Sequence, residues 1–205
     1  MNPIRLHRFA LSGHCHRVEL MLSLLDLPFE PVDVDLKGRE QKSPEFLRRN
    51  PLGLVPVIED GGATVPDSNA ILVYLATKYD ATGRWYPREA AASARIQQWL
   101  SLAAGPLAFG PAAARVIKVF GAPLDWDRAA AIAGDLLGHL ERHLGNRQFL
   151  ASEHPTIADV AMYSYTAHVP EGGISLEPYP AIRGWLARIE ALPRFVPMRK
   201  SPVAA

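Results

Sequence analysis

Over the first 79 residues apolar positions fall in short runs broken by turn residues; beyond residue 88 they recur only at helical spacing. Residues 4–9 and 30–35 read as strands on either side of a helix over about residues 14–25. Val55, Val57 and Ile58 form a β-branched run. Gly61 and Gly62 offer the positive φ angles of a tight turn, and Ala63, Thr64 and Val65 return as the antiparallel partner. Residues 36–51 read as a loop. After Asp67 and Ser68, the positions Ile71, Leu72, Leu75 and Ala76 keep helical spacing, so a helix opens there. The resulting β-α-β-β-α order predicts an α/β domain over residues 1–79.

Residues 80–88, with Gly83 and Pro87, read as a linker, and residues 89–205 show no strand pattern. Ile96, Trp99, Leu100 and Ala103 mark one face of a helix over residues 90–104. A second runs over 127–144 and ends at Gly145, a residue suited to a left-handed cap. Thr156 followed by Asp159 matches a capping box, with Asp in place of Glu or Gln, and starts a buried helix whose role is structural. Ile182, Trp185, Leu186 and Ile189 define a last helix over 181–191. The second half is therefore an all-α domain.

Composition narrows the function classes. The chain has 205 residues, 48% hydrophobic and 21% charged, enough for one large domain or two small ones. Its net charge of +1 comes from 22 basic and 21 acidic residues spread along the sequence, which gives no field for nucleic acid or an anionic membrane. The single cysteine, Cys15, excludes an internal disulfide. With charges at Arg5 and Arg8 where a signal peptide needs an apolar run, a cytoplasmic location is expected. The uncharged run around residues 96–114 is interrupted by Gly105-Pro106 and Gly110-Pro111, which argues against a membrane span.

Two short motifs carry chemistry. Pro56 cannot donate to a ladder and belongs at an edge or in a cis turn; a cis Val55-Pro56 bond would offer the Val55 backbone to an extended peptide. The N-terminus of the helix after Asp67 has unpaired N–H groups and a positive dipole end. With the Ser68 hydroxyl as a further donor and Asp67 for an ammonium, it suits the carboxylate and amine of an amino acid. Helix capping by either residue is the other reading, and it is compatible with a ligand. His14, Cys15 and His16 do not make a metal site, because helical residues two apart point about 200° from each other.

Taken together, Val55-Pro56, Asp67-Ser68 and Thr156-Ile157-Ala158-Asp159 in this domain order resemble a cytosolic glutathione transferase over nearly the whole chain, with a thioredoxin-like first domain. The resemblance is to bacterial, phi/theta-like members with serine at the catalytic position, here Ser12 in Leu11-Ser12-Gly13-His14-Cys15. It implies glutathione as co-substrate without a metal, a homodimer, a detoxifying role, and conjugation of the thiolate to small apolar electrophiles. By the same resemblance Val55 pairs with the cysteinyl backbone, Asp67 and Ser68 hold the γ-glutamyl end, and Lys42 approaches the glycine carboxylate. Leu11, Trp99, Leu102, Phe109 and Arg115 would line the second-substrate cleft. Many relatives have Gln before the Val-Pro step, where this chain has Leu54 and lacks that amide. Glutathione-dependent isomerisation, thiol reduction through Cys15, and a non-catalytic binding role are the alternatives.

Overall fold

The computed structural model describes residues 3–201. A four-stranded sheet has the order β2-β1-β3-β4. Strand β1 (Ile4–Arg8) leads through helix α1 (Gly13–Leu24) to β2 (Phe29–Asp33), which pairs with it in parallel. Strand β3 (Val57–Asp60) runs antiparallel to β1, with Leu6 opposite Ile58, and β4 (Ala63–Pro66) returns beside it. In the hairpin Gly61 alone adopts a positive φ, 61°. Helix α3 (Ser68–Tyr79) follows at once.

The segment expected to be a loop contains a 3₁₀ turn (Glu40–Lys42) and a short helix, α2 (Pro44–Arg49). Its start signals are local: the Ser43 hydroxyl accepts from the Phe46 N–H at 3.1 Å, and Pro44 occupies the first turn, where its missing N–H costs nothing. Periodicity fails here because only Phe46 is buried, against Val34 and Val57.

The second half is helical, as expected. Helix α4 (Ala90–Ala104) continues through a π-turn (Ala108–Ala112) into α5 (Ala113–Phe120). The Gly-Pro steps therefore bend this stretch rather than end it, and the wider π-turn accommodates Pro111. At Gly110 a Cβ would lie 2.7 Å from the backbone N of Ala133, so only glycine lets the turn approach α6 (Trp126–Leu144) this closely. The 31 residues Ala90–Phe120 are long and apolar enough to cross a membrane by length and composition alone. Ile96, Leu100, Ala103 and Leu107 are nevertheless buried in the protein core, which makes this a core helix. Gly145 is not the left-handed cap expected: its φ is −56°, and the chain leaves α6 through a further right-handed turn closed by the Arg147 N–H on the Leu144 carbonyl. The left-handed cap is Gly121, φ 66°, after α5.

Helix α7 (Ile157–Ala167) is the central helix, buried from Ile157 through Thr166, and α1, α3 and α4 all pack on it. α8 (Pro180–Glu190) closes the far side, with Trp185 fully buried. A single apolar cluster joins Leu6, Val18 and Leu72 to Trp99, Val160 and Trp185, so the two halves share one core. The capping box holds this arrangement: Asp159 accepts from the N–H of Thr156 (2.8 Å), the N–H of Leu150 (2.9 Å) and the indole of Trp185 (3.0 Å). Burial pushes its carboxyl above the usual range, against these bonds.

Asp159→Ala strips the buried Leu150 and Trp185 donors of their acceptor, and each orphaned group costs about 1–3 kcal/mol. The expected loss is therefore on the order of 3 kcal/mol, or roughly 6–12 °C in Tm for a chain of this size. Urea and thermal unfolding check this; a loss below about 1 kcal/mol would show that α7 is anchored elsewhere.

Candidate functional site

Three backbone features converge on one cavity of about 270 Å³: the first turn of α1, the loop before β3 and the N-terminus of α3. Its walls are His14, Arg17, Leu52, Leu54, Val55, Pro56, Asp67, Ser68 and Asn69, closed from the second half by Ala104 and Ala108. The volume is near the lower bound of ligand sites, roughly 300 Å³.

The loop before β3 is shaped by buried Asn50, whose Nδ2 donates to the Leu54 carbonyl (2.8 Å) while its Oδ1 accepts from the Leu52 N–H (3.1 Å). The Val55-Pro56 bond is cis, and the ladder begins only at Val57, so the Val55 backbone stands outside the sheet at the cavity wall. Leu54, 58% exposed, adds an apolar side chain to the same wall.

At the opposite wall Asp67 holds an unusual backbone, φ 73° and ψ 124°, and caps α3: its Oδ1 accepts from the N–H groups of Asn69 (3.0 Å) and Ala70 (2.9 Å). The sequence left capping and ligand binding as two readings of this residue; the structure shows the cap, and the capping residue also lines the cavity. Ser68 is buried directly behind it. Its Oγ accepts from Arg17 Nη1 at 3.3 Å, and the same nitrogen donates to Asn69 Oδ1 at 2.8 Å.

Ser12 caps α1, its Oγ accepting from the Cys15 N–H at 3.3 Å. The ring of Tyr165 from α7 lies against Gly13, with its Cζ 2.8 Å from where a Cβ would stand. Burial pushes the Tyr165 phenol up, against pulls from Arg17 and the neighbouring Ser12 hydroxyl. Cys15 is fully buried, with its Sγ accepting from the Phe9 N–H at 3.4 Å, and burial pushes its thiol up to about 12. Both ring nitrogens of His16 are engaged, by Ser164 and the Val196 carbonyl at 2.9 Å each.

Several sequence-based assignments do not line the cavity. Ser12 is one of them: it stands at the cap of α1, two residues before His14, which does line it. Lys42 Nζ donates to the Leu52 carbonyl at 2.8 Å and braces the loop from behind. Arg115 is buried, pairing with Glu171 (2.7 Å) and donating to Ser201 (2.7 Å) and to the Leu11 carbonyl (2.8 Å). Leu11 and Arg115 thus form a structural tie. Trp99 packs edge-on against His143 in a separate hollow, ring centres 4.8 Å apart. Leu102 packs against the core, and Phe109, 66% exposed, faces a different hollow beside Leu124. The reason is helical phase. Ala104 lies about 200° around α4 from Leu102 and about 140° from Trp99, so small residues face the cavity.

The sequence comparisons agree with this geometry. Residues 6–83 match the family described as "Glutathione S-transferase, N-terminal domain", and residues 126–193 match "Glutathione S-transferase, C-terminal domain". Glutathione S-transferase theta-1 of Mus musculus is 30% identical over 198 residues, covering 92% of this chain and 82% of its own. The chain belongs to the glutathione transferase family. Among solved members of that family, the glutathione S-transferase from Pseudomonas fluorescens superposes with a TM-score of 0.90 at 32% identity, covering 97% of this chain and 100% of its own. A glutathione transferase homolog from Drosophila mojavensis, solved with bound glutathione, gives a TM-score of 0.83 at 29% identity over 94% of this chain and 90% of its own.

Sequence reasoning about this transferase missed His14, Arg17, Asn69 and Tyr165. For Arg17 a signal existed: it is the one formal charge in the run from Cys15 to Val18 on a helix with an apolar core face, and a charge so placed is either paired or functional. Tyr165 gave none, since a tyrosine within an apolar helix reads as core.

The position of Cys15 makes a direct forecast. A buried thiol held near pKa 12 should resist iodoacetamide in the native transferase at pH 8 and react only on unfolding. Mass spectrometry of native and denatured samples checks this, and rapid native labelling would restore the thiol-reductase reading.

Proposed function

We propose that this transferase activates the thiol of glutathione with the Ser12 hydroxyl and joins the thiolate to small, largely apolar electrophiles. The carrying observation is the convergence on one cavity of the Val55-Pro56 loop, the capped start of α3 and the first turn of α1. The relative solved with glutathione supports the choice of peptide. The theta-1 relatives support a theta-like member, and by family resemblance we take the protein to use serine and to be a cytosolic homodimer.

The chemistry follows from charge. A free thiol with pKa about 8.5 is only a few per cent thiolate at neutral pH, and lowering it by about two units requires roughly 2.7 kcal/mol. Ser12 Oγ accepts from Cys15, its proton turns from the neighbouring Tyr165 oxygen to the sulfur of a bound peptide, and α1 directs its positive end the same way. One charge-assisted bond with a helix terminus is of the needed size. The thiolate then forms a carbon–sulfur bond while the leaving group departs with the bonding electrons, as halide from an aryl halide. Val55 positions the cysteinyl backbone, and Asp67 and Ser68 the γ-glutamyl end. Lys42 acts through the Leu52 loop it braces. Leu52, Leu54, Ala104 and Ala108 give the electrophile an apolar wall. With Cys15 buried, the reductase alternative loses its thiol.

Ser12→Ala should bind glutathione within about threefold of wild type, while kcat/KM for a model aryl halide falls roughly 100-fold, the scale of losing one preorganised donor. The acidic limb of its pH–rate profile should move up by about two units toward the free thiol. Unchanged turnover would remove Ser12 from the mechanism.

A further inference from the structure

Arg17 is fully buried, yet no carboxylate lies within ion-pair distance of it among the described residues. Desolvation lowers its pKa to about 10, which leaves it charged at neutral pH. Nη1 serves both Ser68 and Asn69, whereas Nε and Nη2 have no partner among the described residues. The Asp67 carboxylate acts on it through space without a hydrogen bond, and a buried cation left with two unpartnered nitrogens beneath a ligand-sized cavity is suited to an anion there.

We propose that Arg17 is a positioning residue for the α-carboxylate of the γ-glutamyl unit, acting through Ser68; this rests on the glutathione reading above. A hydroxyl has one proton. Because Ser68 Oγ accepts from Arg17 and its own proton has no acceptor among the described residues, that proton is directed to the cavity that Ser68 lines. The arginine therefore occupies one lone pair of Ser68 and biases its hydroxyl toward donating to an anion. Asn69 locks the arrangement: its Oδ1 accepts from Arg17, and its Nδ2 donates across the domain boundary to the Leu100 carbonyl at 3.0 Å. The charge of Arg17 and the positive end of α3 then act on the same carboxylate from behind and from the side.

The test compares two peptides by titration calorimetry: glutathione, and 4-aminobutyryl-cysteinyl-glycine, which lacks only that α-carboxylate. Wild type should prefer glutathione by at least about tenfold, the scale of one hydrogen bond to a charged group. Arg17→Met should lose that preference by weakening glutathione alone, with KM for glutathione rising by a larger factor than kcat falls. Arg17→Lys should recover part of it, and it decides by the same ratio if Arg17→Met does not fold. Equal weakening of both peptides would mean that Arg17 only cross-links α1 to α3, and a preference untouched by either variant would place the carboxylate elsewhere; both overturn the proposal. Wild type that binds neither peptide at millimolar concentration would instead remove the glutathione reading itself.

Discussion

The Tyr165 ring occupies the space a side chain on Gly13 would need, with ring carbons 2.8 Å from the missing Cβ. That contact seats α1 on α7 and joins the sheet domain to the helical one. The second domain grips the same stretch twice more, through Ser164 and Val196 on His16 and through Arg115 on the Leu11 carbonyl. Ser12 is thereby held from three sides by groups more than 100 residues away in sequence. A flexible loop could not hold a hydroxyl with comparable constancy. The shared core has the same consequence at larger scale, since neither half buries its apolar surface alone.

Histidine contributes no charge to the cavity. Burial lowers His14 to about 3 and His16 to about 4, so both stay neutral at physiological pH. The positive contributions come from the N-termini of α1 and α3 and from Arg17, set against the Asp67 carboxylate in the same wall.

Much of this was legible in the sequence. The strands, α1, α3, the bounds of α4 and the capping box followed from periodicity and cap chemistry, because in each the local preference and the tertiary demand coincide. Helix α2 escaped because one buried residue, Phe46, makes no period. Gly145 misled because a glycine permits a left-handed cap without requiring one. The start of α3 at Asp67 and Ser68 was legible, since helix termini announce themselves, and both residues line the cavity. The helical-domain side of the cavity was not legible. Large residues such as Trp99 and Phe109 were expected there, while the lining is Ala104 and Ala108, whose smallness is what leaves the space. Arg17 shows the same bias toward residues in recognisable motifs, as its importance comes from being buried without a carboxylate.

The most direct measurement is a crystal structure of the protein with glutathione. The expected result is the γ-glutamyl carboxylate within about 3 Å of Ser68 Oγ, the cysteinyl backbone paired with Val55, and sulfur within about 3.5 Å of Ser12 Oγ. A peptide bound in the reverse sense, with its glycine carboxylate at Ser68 and its sulfur out of reach of Ser12, would contradict both the assignment of the site and the mechanism built on it.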